Sequence, residues 1–194
     1  MDRRDFFRFG ARKATETVVR GADALAKKKA SRWLRPPYAL DELEFLLACT
    51  RCGECIAACP HQVIFPLSTR LGAQVAATPA LDLLRKGCHL CEDWPCVMAC
   101  EPGALKRPSP EEEDADTPPA LPRLARASID ERRCLPYSGP ECGACDSVCP
   151  VPGALVWEQW KPRIDTERCT GCALCREACI TEPKAIDIRS LTAV

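Results

Sequence analysis

The sequence predicts an α+β fold: two tandem cysteine-rich modules of short strands and helices, behind a basic helical extension. Three observations predict it. Sixteen cysteines fall into four groups of closely related spacing. Two short peptides recur beside those groups, one just before and one just after. A run rich in proline and acid separates the second group from the third. The expected limits are an extension over 1–37, a first module over 38–105, a linker over 106–122 and a second module over 123–194.

The cysteines must do what a large core does elsewhere. Aromatic residues make up only 6% of the 194, although 46% are hydrophobic. Small modules with thin cores need covalent or metal staples. Charge is divided unevenly. Residues 1–35 hold eleven Lys/Arg against four acids, a net +7 that leaves −7 on the rest of a neutral chain. A basic tail on an acidic body suggests a separate task for the tail, such as docking to a partner or an anionic surface.

Within that tail, residues 11–33 read as a helix, with Val18, Val19, Ala22, Leu25, Ala26 and Trp33 loosely on one face. Pro36 and Pro37 stop it. The opening Asp2-Arg3-Arg4-Asp5-Phe6-Phe7-Arg8 looks like a twin-arginine export motif. An export signal also needs an apolar stretch of about 7–15 residues. Lys13, Glu16, Arg20, Asp23 and the lysines at 27–29 interrupt any such stretch. The expected location is therefore cytoplasmic or peripheral at the inner face of the membrane, with periplasmic export as the alternative. No run approaches the roughly 18 apolar residues of a membrane span.

Asp41 is placed to cap a short helix through Leu43, Phe45, Leu46 and Leu47 that delivers Cys49. The repeats come next. Pro102-Gly103-Ala104-Leu105 follows the second cysteine group, and Pro152-Gly153-Ala154-Leu155 follows the third. Ile129-Asp130-Glu131-Arg132-Arg133 leads into Cys134, and Ile164-Asp165-Thr166-Glu167-Arg168 leads into Cys169. Such recurrence means one structural unit used repeatedly: short strand, ligand loop, short helix, return strand.

Spacing decides what the cysteines do. The first group (Cys49, Cys52, Cys55, Cys59) and the fourth (Cys169, Cys172, Cys175, Cys179) both read C-x2-C-x2-C-x3-C. That is the bacterial ferredoxin run for [4Fe–4S] ligation. Three thiolates two residues apart wrap three corners of a cubane, and the fourth reaches a neighbouring cluster. Gly53, Gly143 and Gly171 stand where the backbone must turn closely. The second group (Cys88, Cys91, Cys96, Cys100) is longer by two, with Glu92-Asp93-Trp94-Pro95 between Cys91 and Cys96. The third (Cys134, Cys142, Cys145, Cys149) is longer by five, with residues 135–141 between Cys134 and Cys142. Neither insertion removes a ligand, so sixteen thiolates suffice for four [4Fe–4S] clusters. Disulfides do not call for triplets of cysteines two apart. Zinc knuckles use two separated pairs and leave the third cysteine unexplained.

Two pairings are open. In the local scheme, Cys49, Cys52, Cys55 and Cys100 hold one cluster, and Cys88, Cys91, Cys96 and Cys59 the next. Cys134, Cys142, Cys145 and Cys179 hold the third, and Cys169, Cys172, Cys175 and Cys149 the fourth. The short gap between Cys149 and Cys169 favours this scheme. The alternative nests groups two and three inside one and four.

From about Arg35 onward the sequence resembles the polyferredoxins of the NapF/NapG/MauM kind. The resemblance rests on Arg35-Pro36-Pro37, on Cys88-x2-Cys91-Glu92-Asp93-Trp94-Pro95-Cys96 and on the long third run from Cys134 to Cys149. It implies bacterial-ferredoxin-like modules, four [4Fe–4S] clusters and an electron-relay role. The implied partner is a larger redox enzyme or a quinone-linked membrane subunit. A maturation or assembly factor for a partner metalloenzyme is the alternative.

No catalytic residue is expected. His89 lies in the second ligand loop, where it can tune a cluster or stand exposed, and His61 follows Cys59-Pro60. No haem-attachment, phosphate-loop or dinucleotide motif occurs. Trp94, Trp157 and Trp160 read as core or partner contacts. Basic residues confined to a tail argue against nucleic-acid binding.

Overall fold

Elements of three to seven residues, tied by loops that carry the cysteines, make up the computed structural model, which describes residues 33–108 and 120–191. The basic extension before Trp33 and the middle of the linker, 109–119, lie outside the described residues.

The first half opens with α1 (Glu42–Ala48), and Glu42 and Glu44 place acid in its first turn, where the helix dipole favours it. Asp41 occupies the N-cap position but makes no side-chain cap hydrogen bond, unlike the expectation. The helix ends as Cys49 turns extended. Then come α2 (Glu54–Ala57), β1 (Ile64–Pro66), a 3-10 turn (Thr69–Leu71), β2 (Pro79–Leu81) and α3 (Pro95–Met98). Pro95 stands at the start of α3, where its missing N–H costs nothing.

The second half runs β3 (Arg126–Ile129), α4 (Leu135–Ser138), a 3-10 turn (Asp146–Val148), β4 (Leu155–Glu158), β5 (Lys161–Ile164), α5 (Leu174–Ala178) and β6 (Ile186–Arg189). Two antiparallel pairs organise it. The inner strands β4 and β5 form a hairpin, and the outer strands β3 and β6 pair with Ile129 opposite Ile186. The first half keeps the inner pair, β1 with β2. Its outer pair shrinks to a single bridge between Ala39 and Leu105. The expected strand–loop–helix–strand unit is thus complete in the second half and truncated in the first.

The peptide repeats explain the likeness. Gly103 and Gly153 both adopt positive φ, 71° and 73°. The alanine after each is buried, and its carbonyl accepts from a backbone N–H: Leu40 to Ala104 at 3.1 Å, Asp165 to Ala154 at 2.9 Å. Asp130 and Asp165 turn the chain into their cysteines. Asp130 Oδ1 accepts from the Arg132 N–H and Asp165 Oδ1 from the Glu167 N–H, at 2.9 and 2.8 Å. The N–H groups of Cys134 and Cys169 return to the carbonyls of the same aspartates.

One buried cluster runs through both halves, from Phe45, Leu83 and Trp94 to Ala125, Ile186 and Ile188. Six cysteines belong to it: Cys55, Cys59, Cys88, Cys96, Cys145 and Cys172. A smaller cluster of Trp33, Leu67, Val75 and Ala80 sits beside β1 and β2. Among the described residues no helix is long and apolar enough to cross a membrane.

Candidate metal centres

Three of the four ligand loops put three cysteines around a hollow that takes its fourth cysteine from another loop. Cys49, Cys52 and Cys55 line one hollow, and the cysteine that joins them is Cys100, from the end of α3. Cys88, Cys91 and Cys96 line another together with Cys59, from the end of α2. The crossover follows from α2 packing against α3. Cys134, Cys142 and Cys145 share a third hollow with Cys179, after α5. The three hollows are nearly equal in size, about 330, 340 and 360 Å³ in that order, with their mouths included. Cys169, Cys172 and Cys175 stand close to Cys149, whose charge acts on all three. Among the described residues, the hollow that Cys49 lines holds Cys100 and no cysteine of the fourth group.

The thiols are held against their own chemistry. Burial pushes Cys55 up to about 11, helped by the charges of Cys100, Cys49 and Cys52. Burial lifts Cys88 and Cys96 to about 12, and neighbouring cysteine charges add to it. Cys145 rises to about 11 and Cys175 to about 12, again from burial first and then from neighbouring thiols. Cys179 moves the other way. Burial raises it, but the Thr181 hydroxyl, the Ala185 and Thr181 N–H groups and the Lys184 charge together pull it below the ordinary thiol value. Thiolates packed this way are stable only with a cationic centre between them.

The same hollows fit an iron–sulfur cubane. Each takes four soft thiolate donors, the set that such clusters use. Among the described residues no three His, Cys, Asp or Glu side chains converge tightly enough for one bare metal ion. The thiols instead stand apart around a space. Backbone N–H groups already point at sulfur: Leu105 donates to Cys100 Sγ at 3.3 Å and Gly171 to Cys169 Sγ at 3.4 Å. Trp157 lines the third hollow, and its buried Nε1 has no partner in the protein.

A family model for a 4Fe–4S binding domain matches residues 162–183, which hold the whole fourth group. The ferredoxin-type protein NapG of Escherichia coli is 31% identical over 97% of this chain and 84% of its own length. The methylamine utilization ferredoxin-type protein MauM of Methylorubrum extorquens is 31% identical over 96% and 88%. The chain belongs to the NapG/MauM family of ferredoxin-type proteins.

A ferredoxin-type protein of this family is an iron–sulfur protein of electron transfer, and the sixteen cysteines accord with that. NapG of Haemophilus influenzae is 36% identical over 80% of the chain, which spans 58% of that relative. NapF of Escherichia coli is 28% identical over 78%. No solved structure matches the chain.

Several residues around these centres take positions that the sequence left open. The rings of His61 and His89 stack at 3.5 Å, 7° from parallel, on the rim of the second hollow. Burial and the neighbouring His61 hold His89 below the ordinary imidazole value. Trp94 is buried edge-on against Tyr38 at 4.9 Å, as a core residue should be. Trp160 is 88% exposed at the tip of the β4–β5 hairpin. Gly53 has φ +85°, as its loop requires. Gly171 has φ +73° and also passes so near Ala125 that no side chain fits. Gly143 has neither a positive φ nor a crowding neighbour, so nothing in its surroundings demands glycine.

Proposed function

We propose that the protein relays single electrons through four [4Fe–4S] clusters, one on each of the quartets named above. It does so as two ferredoxin-like modules within, or docked to, a larger redox complex. The observation that carries this reading is the exchanged fourth cysteine: Cys100 among Cys49, Cys52 and Cys55, and Cys59 among Cys88, Cys91 and Cys96. That exchange is the ligand arrangement of paired clusters in bacterial ferredoxins.

When bound, the clusters supply reversible one-electron chemistry. The chain's own work is to hold and space them, to exclude water with Phe45, Trp94 and Ile186, and to set each potential through N–H donors aimed at sulfur. The basic segment before Trp33 serves as the docking element for the partner, by charge. Of the relatives' names, that of MauM states methylamine utilization. The partner of this chain is a larger redox enzyme or a quinone-linked membrane subunit.

The test is iron and acid-labile sulfide per chain after anaerobic purification, with electron paramagnetic resonance on stepwise reduction. About sixteen of each, with signals of interacting reduced centres, is the expected result. Stoichiometric zinc with little iron overturns it. Removing residues 1–33 should leave iron unchanged and abolish co-purification with the partner. Retained co-purification ends the docking role of that segment.

A further inference from the structure

The two halves meet main chain to main chain beside two of the quartets. The Cys88 N–H donates to the Cys172 carbonyl at 2.7 Å, and both residues are 7% exposed. Next to this bond, the Gly87 N–H donates to Glu177 Oε2 at 2.7 Å. Arg176 Nε donates to the Leu84 carbonyl at 3.1 Å. The start and the body of α5 thus grip residues 84–88 at successive points.

Gly87 shows how close the approach is. A Cβ there would lie 2.7 Å from Leu174 N and Cδ2 and 2.8 Å from Leu174 Cα. Its φ is outside the left-handed region, so proximity alone excludes a side chain. Contacts under 3 Å to backbone cannot be relieved by a rotamer change.

Cys88 belongs to the second quartet and Cys172 to the fourth. Among the described residues no hydrogen bond joins the second ligand loop, 88–100, to the third, 134–149. We infer that the Cys88–Cys172 contact is where electrons cross between the halves, so that the four sites are wired in the order first, second, fourth, third. This rests on the proposed occupation of the quartets. The route is covalent apart from one hydrogen bond: Cys88 Sγ, Cβ, Cα and N–H, then the Cys172 carbonyl, Cα, Cβ and Sγ. One electron lost at one site is gained at the other. No bond breaks and no proton moves.

Within each half the exchanged cysteines supply the other links, Cys59 and Cys100 in the first, Cys149 and Cys179 in the second. The first and third quartets become the two ends of the relay. Cys52, in the first quartet, is the exposed thiol of the sixteen, as a terminal exchange point should be.

Two variants of the full chain separate this order from the order of the sequence. Cys142→Ser with Cys145→Ser empties the third site, and Cys169→Ser with Cys175→Ser empties the fourth. Each is reduced fully and its paramagnetic spectrum recorded beside its iron content. In the proposed order, emptying the third leaves the fourth still magnetically coupled to the second, with no isolated signal. Emptying the fourth strands the third, and a sharp isolated signal appears. The reverse pattern overturns the order. If the unaltered protein lacks iron for four clusters, the proposed function fails first and separately. A third variant, Gly87→Ala, touches no thiol and covers the case in which either pair of substitutions strips the whole chain. Full iron with slowed equilibration after a substoichiometric pulse of reductant is expected. Full iron with unchanged equilibration overturns the crossing.

Discussion

Arg35 grips Glu42 through two nitrogens, Nε on Oε2 at 2.9 Å and Nη2 on Oε1 at 2.6 Å. The pair is almost wholly enclosed, its side chains 11% and 6% exposed. Arg35 Nη1 also reaches Thr78 Oγ1 and the Pro79 carbonyl, at 2.9 and 2.7 Å, and the Trp33 indole donates to Glu42. This network ties the entry segment to α1 and to β2, and so fixes where Cys49 begins its loop. Breaking an enclosed pair from one side leaves a bare charge. Arg35→Met should lower stability by about 3–5 kcal/mol. Arg35→Met with Glu42→Leu should recover most of that, because no charge is then stranded. Thermal unfolding of the anaerobic, iron-loaded protein measures both.

Cysteine substitutions should be non-additive in a pattern set by the hollows. Cys55 and Cys100 line the same one. Cys55→Ser with Cys100→Ser should therefore cost no more iron than either alone, about a quarter of the total. Cys55→Ser with Cys59→Ser hits two hollows from one helix and should cost roughly half. Iron per chain in the four proteins is the measurement, and equal loss in both doubles rules out the local pairing.

Gly53 and Gly171 should answer differently to alanine. Both have positive φ, and alanine there costs about 1–2 kcal/mol. Around Gly53 there is open space, so the cost should stop at that. At Gly171 the added carbon would lie 2.0 Å from the Ala125 carbonyl oxygen, so about 1–3 kcal/mol of crowding is added. Unfolding midpoints of the two variants, side by side, check the difference.

Trp157→Phe removes a buried N–H and keeps the ring. If that donor serves the third site, its loss disfavours the more negative, reduced state. One potential of the set should fall by about 40 mV, the equivalent of roughly 1 kcal/mol for a one-electron couple. Iron content should not change. A redox titration followed by paramagnetic resonance reads both.

The cysteine groups and their loops were legible because ligand chemistry fixes spacing locally, and the Pro-Gly-Ala-Leu repeats marked equivalent turns in the two halves. The network of Arg35 was not legible as such. Its partners lie 7 and 43 residues away, and no periodic pattern joins them. The same is true of Gly87, whose neighbour Leu174 comes from the other half. Asp41 carried the composition of a cap without the bond. Gly143 carried the composition of a tight turn without the φ. In both, residue type is permissive, and only packing decides whether the permission is used. The missing outer strands of the first half were hidden for a related reason: a single bridge at Ala39 and Leu105 needs no strand-like sequence.

In every group the last two cysteines are three residues apart, whatever happens before them. Four positions along an α-helical turn, the form this spacing takes in all but the third group, advance about 6 Å. Cys55 and Cys59 spend that advance facing two different hollows. The turn is therefore a gauge block between neighbouring centres. Loops ahead of it differ in length, as at 92–95 and 135–141, while the spacing of the last two cysteines along the chain stays the same. A lineage of such chains can redecorate its surface for new partners while the spacing that sets one hollow beside the next remains a standard part.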